Sequence, residues 1–305
     1  MKFRNLGAYL QERFAPVNIG LFVVLFCTVR GVATWASAVY QNSLVPTAGL
    51  AWAALGALAT VSFFFRLRVF DEEKDFAQDA LTHPHRVLQT GRVTLPQLRR
   101  LAWAGALLEL GWSAAQGKAT LLLWTVALGY SLLMRAEFGV GEWLRKRLVA
   151  YALSHMFIMP LVVLWLFSAY APRQALGGEY LPLLLLLSLL GGFSFELARK
   201  LHAPAAERAG VDSYSRTLGY GPALSLTVVV VLAGGAVQAL LLRGLHARWG
   251  GYAVLWLLLA SGLALYSTAA RHPHEARLRQ AEKVVSLVML TSYLAVLAEA
   301  YGFGR

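Results

Sequence analysis

Apolar residues run along this chain in long blocks separated by short polar stretches. Crossing about 30 Å of hydrocarbon takes roughly 20 mostly apolar residues in a helix. Blocks at or near that length fall near residues 17–39, 47–65, 98–117, 119–135, 148–170, 180–198, 220–242, 249–268 and 284–303, which predicts an all-α polytopic membrane protein with nine transmembrane helices. Only Gln116, Gly117 and Lys118 separate the third and fourth blocks, the spacing of a tight helical hairpin. The first block continues from Val17 beyond a normal signal core and lacks a small-residue cleavage site, so it is expected to stay as a membrane helix. No internal repeat or low-complexity linker interrupts the pattern, and 1–305 reads as a single transmembrane domain with polar cap loops near 66–97 and 199–219.

Composition agrees: 58% of residues are hydrophobic, 14% are charged, and the mean hydropathy is +0.55. The net charge of +12 punctuates apolar runs instead of gathering on one polar face, which points to an anionic membrane surface and away from nucleic acid. With the N-terminus in the cytoplasm, 22 of the 28 Lys and Arg residues fall in cytoplasmic termini, loops and helix caps. Lys118, Arg173, Arg243, Arg248 and Arg305 fall outside, and Arg30 lies within the first helix. One missed helix would invert every later loop, so this bias predicts N-terminus inside and C-terminus outside, in a membrane such as a prokaryotic inner membrane. Cys27 is the single cysteine, which excludes a disulfide framework or a cysteine-rich metal site.

Five of the 16 acidic residues, Asp71, Glu72, Glu73, Asp75 and Asp79, follow the second apolar block. If that helix continues, Asp71, Asp75 and Asp79 recur every four residues along one face. Adjacent carboxylates repel unless a cation joins them, and an all-oxygen set suits Mg²⁺. Because Mg²⁺ keeps much of its water and is usually held by one or two carboxylates plus substrate phosphates, the pattern implies a diphosphate substrate more strongly than a structural metal. Arg68, Arg86 and Arg92 are candidate donors to phosphate oxygens. The alternative is a solvated charged loop that serves solubility and topology.

The run Asp71, Asp75, Asp79, followed by Pro84, Arg86, Leu88 and Gly91, resembles the first aspartate-rich motif of the UbiA superfamily of intramembrane prenyltransferases. That motif usually starts Asn-Asp, with further Asp residues three and seven positions on and an Arg-Pro-Leu-x-x-Gly-like turn after them. Here Asp71 replaces the Asn, Glu72 the first Asp, and Val87 the Pro after Arg86. The resemblance implies a nine-helix bundle with polar caps on the cytoplasmic side, and covers nearly the whole chain.

It also implies a second acidic motif after the sixth block, where FSFELARKLHAPAAERAGVDSYSRTLG stands. Glu196 takes the first carboxylate position, but Lys200 stands four residues later and cannot bind Mg²⁺ while charged. A second metal would have to use Glu196 with Glu207 or Asp212. Alternatively, Arg199 and Lys200 contact the diphosphate themselves. The stretch from Gly210 to Gly219, with Tyr214, resembles the family's turn into the next helix. Tyr130 and Arg135 resemble its tyrosine and basic residue at the end of the fourth helix, although an interfacial aromatic beside a topology anchor explains them equally well. Arg145, Lys146 and Arg147 read as topology determinants.

Arg30, Glu109, His155 and Glu299 lie within apolar blocks, where facing lipid is costly, so each is expected to face the bundle. Arg30 and Glu109 form one candidate pair, and His155 is expected to be a hydrogen-bonded structural histidine. The expected function is Mg²⁺-dependent transfer of a prenyl group from a prenyl diphosphate to a membrane-soluble, lipophilic or aromatic acceptor. Asp71, Asp75, Asp79 and Glu196 are its catalytic and metal-binding carboxylates, and Glu207 and Asp212 are further metal candidates. Arg68, Arg86, Tyr130, Arg135, Arg199, Lys200 and Tyr214 are its substrate contacts. A membrane terpene cyclase, a phosphosugar-using polyprenyl transferase, and a transporter or non-catalytic protein on the same scaffold are the alternatives.

Overall fold

The computed structural model describes residues 3–41, 49–172, 179–208 and 212–302. Arg173, Gly210 and Arg305, named above, and Lys2, one of the 22 basic residues expected in the cytoplasm, lie outside them.

A short helix, α1 (Phe3–Arg13), precedes α2 (Pro16–Gln41), whose start is set by Pro16: a proline at the first helical position has no N–H to leave unsatisfied. Next comes α3 (Leu50–Thr82), whose 33 residues extend about 50 Å at 1.5 Å each. This exceeds the hydrocarbon thickness, so the acidic stretch is carried on a helical extension of a membrane helix. The helices α4 (Leu95–Gln116) and α5 (Lys118–Arg135) meet at Gly117, whose φ of 125° only glycine adopts freely. This is the expected hairpin. A 3₁₀ turn (Glu137–Gly139) and α6 (Gly141–Arg145) lead to α7 (Leu148–Met156) and α8 (Ile158–Ser168). These two are halves of one apolar span, broken where Pro160 cannot donate to the Met156 carbonyl.

Beyond α9 (Tyr180–Arg199), a second 3₁₀ turn (Pro204–Ala206) and α10 (Tyr214–Leu218) form the other polar cap. The chain ends with α11 (Tyr220–Gly244), α12 (Trp249–Arg271) and α13 (Glu275–Ala300).

The protein is an all-α polytopic membrane protein. Among the described residues seven spans are long and apolar enough to cross a bilayer: α2, α3, α7 with α8, α9, α11, α12 and α13. The helices α4 and α5 have 22 and 18 residues but are less apolar. Each long helix packs on its successor, and α13 returns to α2, so the bundle closes as a ring. Large apolar side chains such as Leu107, Leu122, Trp249 and Leu257 point outward, as expected where lipid is the solvent. Small residues allow close approach inside the ring. A methyl group added at Gly56 of α3 would fall 2.6 Å from the Phe26 ring of α2 and 2.7 Å from Trp112 of α4.

One expectation is corrected here. Glu109 pairs with Arg66, not Arg30. Arg66 Nη1 stands 2.6 and 2.7 Å from the two carboxylate oxygens, both side chains are fully buried, and Trp124 and Ser62 donate to the same carboxylate. Arg30 instead donates to the Tyr301 hydroxyl at 2.8 Å. Arg66, one of the 22 basic residues expected at the caps, is thus buried inside the bundle instead.

Candidate active site

A cavity of ≈ 350 Å³ opens between α3, α5, α7, α8 and α9. Phe64, Leu67, Phe70, Met134, Met156 and Met159 give it apolar walls, while Asp71, Lys74, Arg135, Tyr151, His155, Glu196, Arg199 and Lys200 give it a polar rim. The charged residues come from the C-terminal halves of α3, α5 and α9, and Tyr151 and His155 from α7, so the chamber combines a charged rim with apolar walls. An elongated amphiphile with an anionic head fits such a chamber.

The i, i+4 arithmetic on α3 holds as helix, but the three aspartates have different surroundings. Asp71 lines the cavity, its side chain 61% exposed, with Arg68 4.0 Å away. Asp75, one turn on, is exposed and has no ion pair among the described residues. Asp79 is buried and engaged by Arg13 at 3.3 Å and by Arg86. Glu72 is buried too, held by Arg13 at 2.6 Å and Arg68 at 2.8 Å. The helix α1 thus brings Arg13 back onto the acidic motif, and Glu12 accepts the Val87 N–H of the following loop at 2.9 Å. Arg68 and Arg86 are occupied by Glu72 and Asp79 and do not line the cavity.

On α9, Glu196 is gripped by its own helix end: Arg199 Nη2 at 2.5 Å and Lys200 Nζ at 2.8 Å each take one oxygen. Glu207 accepts from the hydroxyls of Ser213 and Ser215 at 2.6–2.8 Å. It borders a separate space with His202, Arg208 and Glu275, and Asp212 is exposed nearby in sequence. Tyr214 is fully buried outside the cavity lining, where burial and then the Glu196 charge push its phenol up. Tyr130 donates to the Ser154 carbonyl at 2.7 Å and fastens α5 to α7, also outside the lining.

Asp71, Glu196, Arg135, Arg199 and Lys200 therefore share one chamber, with Asp75 a turn above Asp71. Asp79, Glu207, Asp212, Arg68, Arg86, Tyr130 and Tyr214 stand outside it. Among the described residues no group of three or more His, Cys, Asp or Glu side chains is assembled as a metal cage.

Three rim features have no counterpart in the sequence argument. Lys74 pairs with Glu137 at 2.6 Å and donates to the Tyr151 hydroxyl, while Arg145 bonds Glu137 from the other side at 3.2 Å. Arg135 reaches Glu73 at 2.8 Å, and Arg99 joins the same carboxylate. Burial alone would raise the Glu137 carboxyl, but hydrogen bonds and charge from Lys74 and Arg145 hold it below the usual range. Only the position of Lys74, one helical turn from Asp71, was a signal visible beforehand.

No protein-family model and no curated protein sequence matches the chain. Solved structures do. A digeranylgeranylglyceryl phosphate synthase aligns over 98% of this chain and 100% of its own, at 15% identity and a TM-score of 0.67. An apo UbiA homologue from Aeropyrum pernix K1 aligns over 91% of this chain and 96% of its own, at 17% identity and a TM-score of 0.63. A UbiA homologue from Archaeoglobus fulgidus, bound to GPP and Mg²⁺, aligns over 95% of this chain and 99% of its own, at 16% identity and a TM-score of 0.57. The chain has the fold of the UbiA homologues along its whole length.

Proposed function

We propose that this chain is a divergent UbiA-type prenyltransferase in which all of 1–305 forms one unit, with α4 and α5 as the remaining two of nine crossings. It moves a prenyl group from a prenyl diphosphate to a lipophilic acceptor. In this reading the N-terminus is cytoplasmic and the membrane is a prokaryotic inner membrane. The observation that carries the proposal is the mixed chamber: an apolar pocket whose lining brings together Asp71, Arg199 and Lys200. The likeness of the fold to a homologue bound to GPP and Mg²⁺ supports it.

The rim also bears on how many cations fit. Lys74, Arg135, Arg199 and Lys200 each have a carboxylate partner, Glu137, Glu73 or Glu196. Asp71 and Asp75 add negative charge, so the residues alone lack the surplus a diphosphate needs. Those two carboxylates fit one Mg²⁺ completed by water and phosphate oxygens. Glu196 does not fit a second, since Lys200 and Arg199 occupy both its oxygens, and Glu207 and Asp212 are elsewhere. We infer one Mg²⁺ held by Asp71 and Asp75, with Lys200 and Arg199 in the place of a second. When bound, the ion neutralises charge developing on the departing diphosphate. Lys200 and Arg199, still paired with Glu196, would present their remaining N–H groups to the phosphate oxygens, and Arg135 and Lys74 would complete the cationic side. The walls from Phe64 to Met159 hold the isoprenoid and keep water from the allylic carbon.

Calorimetric titration of geranyl diphosphate into the protein in lipid nanodiscs tests this reading. Tight binding is expected with Mg²⁺, falling roughly 10- to 100-fold in Lys200→Ala, the loss of one charge-assisted contact. Asp71→Asn should remove most of the Mg²⁺ dependence. Absence of binding, or binding indifferent to Mg²⁺ and to both substitutions, overturns the assignment.

A further inference from the structure

His155 sits in the last turn of α7, just before the break at Pro160, and lines the cavity with Asp71, Glu196 and Lys200. Its ring is held in one orientation. Nδ1 lies 2.9 Å from the Tyr151 carbonyl oxygen. A carbonyl can only accept, so Nδ1 carries the proton and Nε2 keeps a lone pair. The Ser154 hydroxyl stands 3.3 Å from the same Nδ1. The Tyr151 ring stacks on the imidazole with centroids 4.1 Å apart and planes 12° apart, and Phe138 meets it edge-on at 5.9 Å. Nε2 has no hydrogen-bond partner among the described residues. A half-buried histidine leaves an unpaired ring nitrogen to solvent or to a bound molecule. This one commits Nδ1 to its own helix and leaves Nε2, on the far side of the ring from that carbonyl, for whatever enters the chamber. The sequence expectation of a merely structural histidine accounts for half of the ring.

We propose that His155 is the general base of the transfer, and that the acceptor is accordingly a lipophilic molecule with an ionisable O–H, a phenol or an alcohol. The proposal rests on the prenyltransferase reading above. The acceptor oxygen attacks C1 of the allylic diphosphate. The bond between C1 and the diphosphate oxygen breaks, its electron pair leaves with the diphosphate, and the new C1–O bond makes an ether. The acceptor proton passes to Nε2, giving an imidazolium that later releases it to water. A neutral hydroxyl becomes strongly acidic as its oxygen bonds to carbon, so a base within reach lowers that barrier. An aromatic carbon nucleophile without an ionisable hydroxyl sheds its ring proton only after the new bond exists and gains little from such a base. The fixed tautomer of His155 therefore bears on the class of acceptor as well as on the mechanism.

The test compares wild type, His155→Gln and His155→Phe in lipid nanodiscs, with geranyl diphosphate, Mg²⁺ and ring-substituted phenols of graded acidity. Glutamine can still donate to the Tyr151 carbonyl but has no basic nitrogen, and phenylalanine preserves the ring stack. Calorimetric affinity for geranyl diphosphate reports whether each variant keeps a formed site. The expected result is an aryl geranyl ether from wild type and unchanged diphosphate affinity in both variants. Transfer to the least acidic phenols should fall roughly 10²- to 10⁴-fold, the range of general-base catalysis, and the deficit should shrink as phenol acidity rises. A carbon-alkylated phenol as product, an undiminished rate, a deficit uniform across the series, or loss of diphosphate affinity in both variants overturns the role of His155. Failure of the wild type to bind geranyl diphosphate overturns the underlying prenyltransferase reading instead.

Discussion

Arg66 and Glu109 are both fully buried, and bringing two charges out of water is costly unless each satisfies the other. Here Nη1 spans both carboxylate oxygens, Trp124 and Ser62 add two donors, and the guanidinium lies 4.6 Å from the centroid of the Phe63 ring. Removing one partner strands the other. Arg66→Met is expected to lower stability by about 3–5 kcal/mol, and the double change Arg66→Met, Glu109→Leu to recover most of that loss. Chemical denaturation in detergent micelles reads both variants, and a double variant as unstable as the single one contradicts this account. The need for a polar partner at Glu109 was legible, because an acid in an apolar block has few other options. Its identity was not, since Arg30 and Arg66 are equally basic and only the packing of α3 on α4 decides between them. The same limit applies at the site. Asp75 and Asp79 look alike in the sequence, yet Arg13, 66 residues from Asp79, takes one and leaves the other open.

Among the elements, α3 is the one whose length makes function legible. The four-residue rhythm of Asp71, Asp75 and Asp79 continues the helix past the membrane, and the structure keeps it helical to Thr82. The turn after α5 was not legible. Glu137 and Phe138 sit at φ 48° and 55°, where non-glycine residues are strained by about 1–3 kcal/mol each. Contacts from Lys74 and Arg145 to Glu137 offset that strain. Because the folded Glu137 carboxyl is held below its ordinary range, its stabilising effect is present above the unfolded value and is lost as pH falls through the depressed folded value. Amide hydrogen exchange across residues 136–147, corrected for the intrinsic rate, is therefore expected to accelerate on acidification below the usual carboxylate range. In Glu137→Gln it should be fast already at neutral pH. Equal protection of this turn at neutral and strongly acidic pH contradicts the assignment. The break between α7 and α8 has a visible cause in Pro160, but that it leaves His155 at the chamber wall depends on the neighbouring helices.

Across the whole molecule, the alternation of apolar blocks and basic caps was enough to anticipate an all-α polytopic membrane protein, and 15–17% identity to the structures it resembles was enough to retain their fold. Membrane bundles tolerate such divergence because any apolar side chain of suitable size serves the lipid-facing surface, while close approaches such as Gly56 fix the packing. The chamber is where divergence has consequence: Lys200 stands where the resemblance implies a carboxylate, and the local ion pairs follow from that exchange. The most direct test of prenyl transfer is a single reaction in lipid nanodiscs, containing prenyl diphosphates of graded length, phenol and alcohol acceptors and Mg²⁺, analysed by mass spectrometry beside Asp75→Ala. The account predicts diphosphate release matched by a product with the mass of the acceptor plus the prenyl group less one hydrogen, lost in the variant and without Mg²⁺. Diphosphate release with a cyclised hydrocarbon and no acceptor consumed, or no turnover by protein that is demonstrably folded, would contradict it.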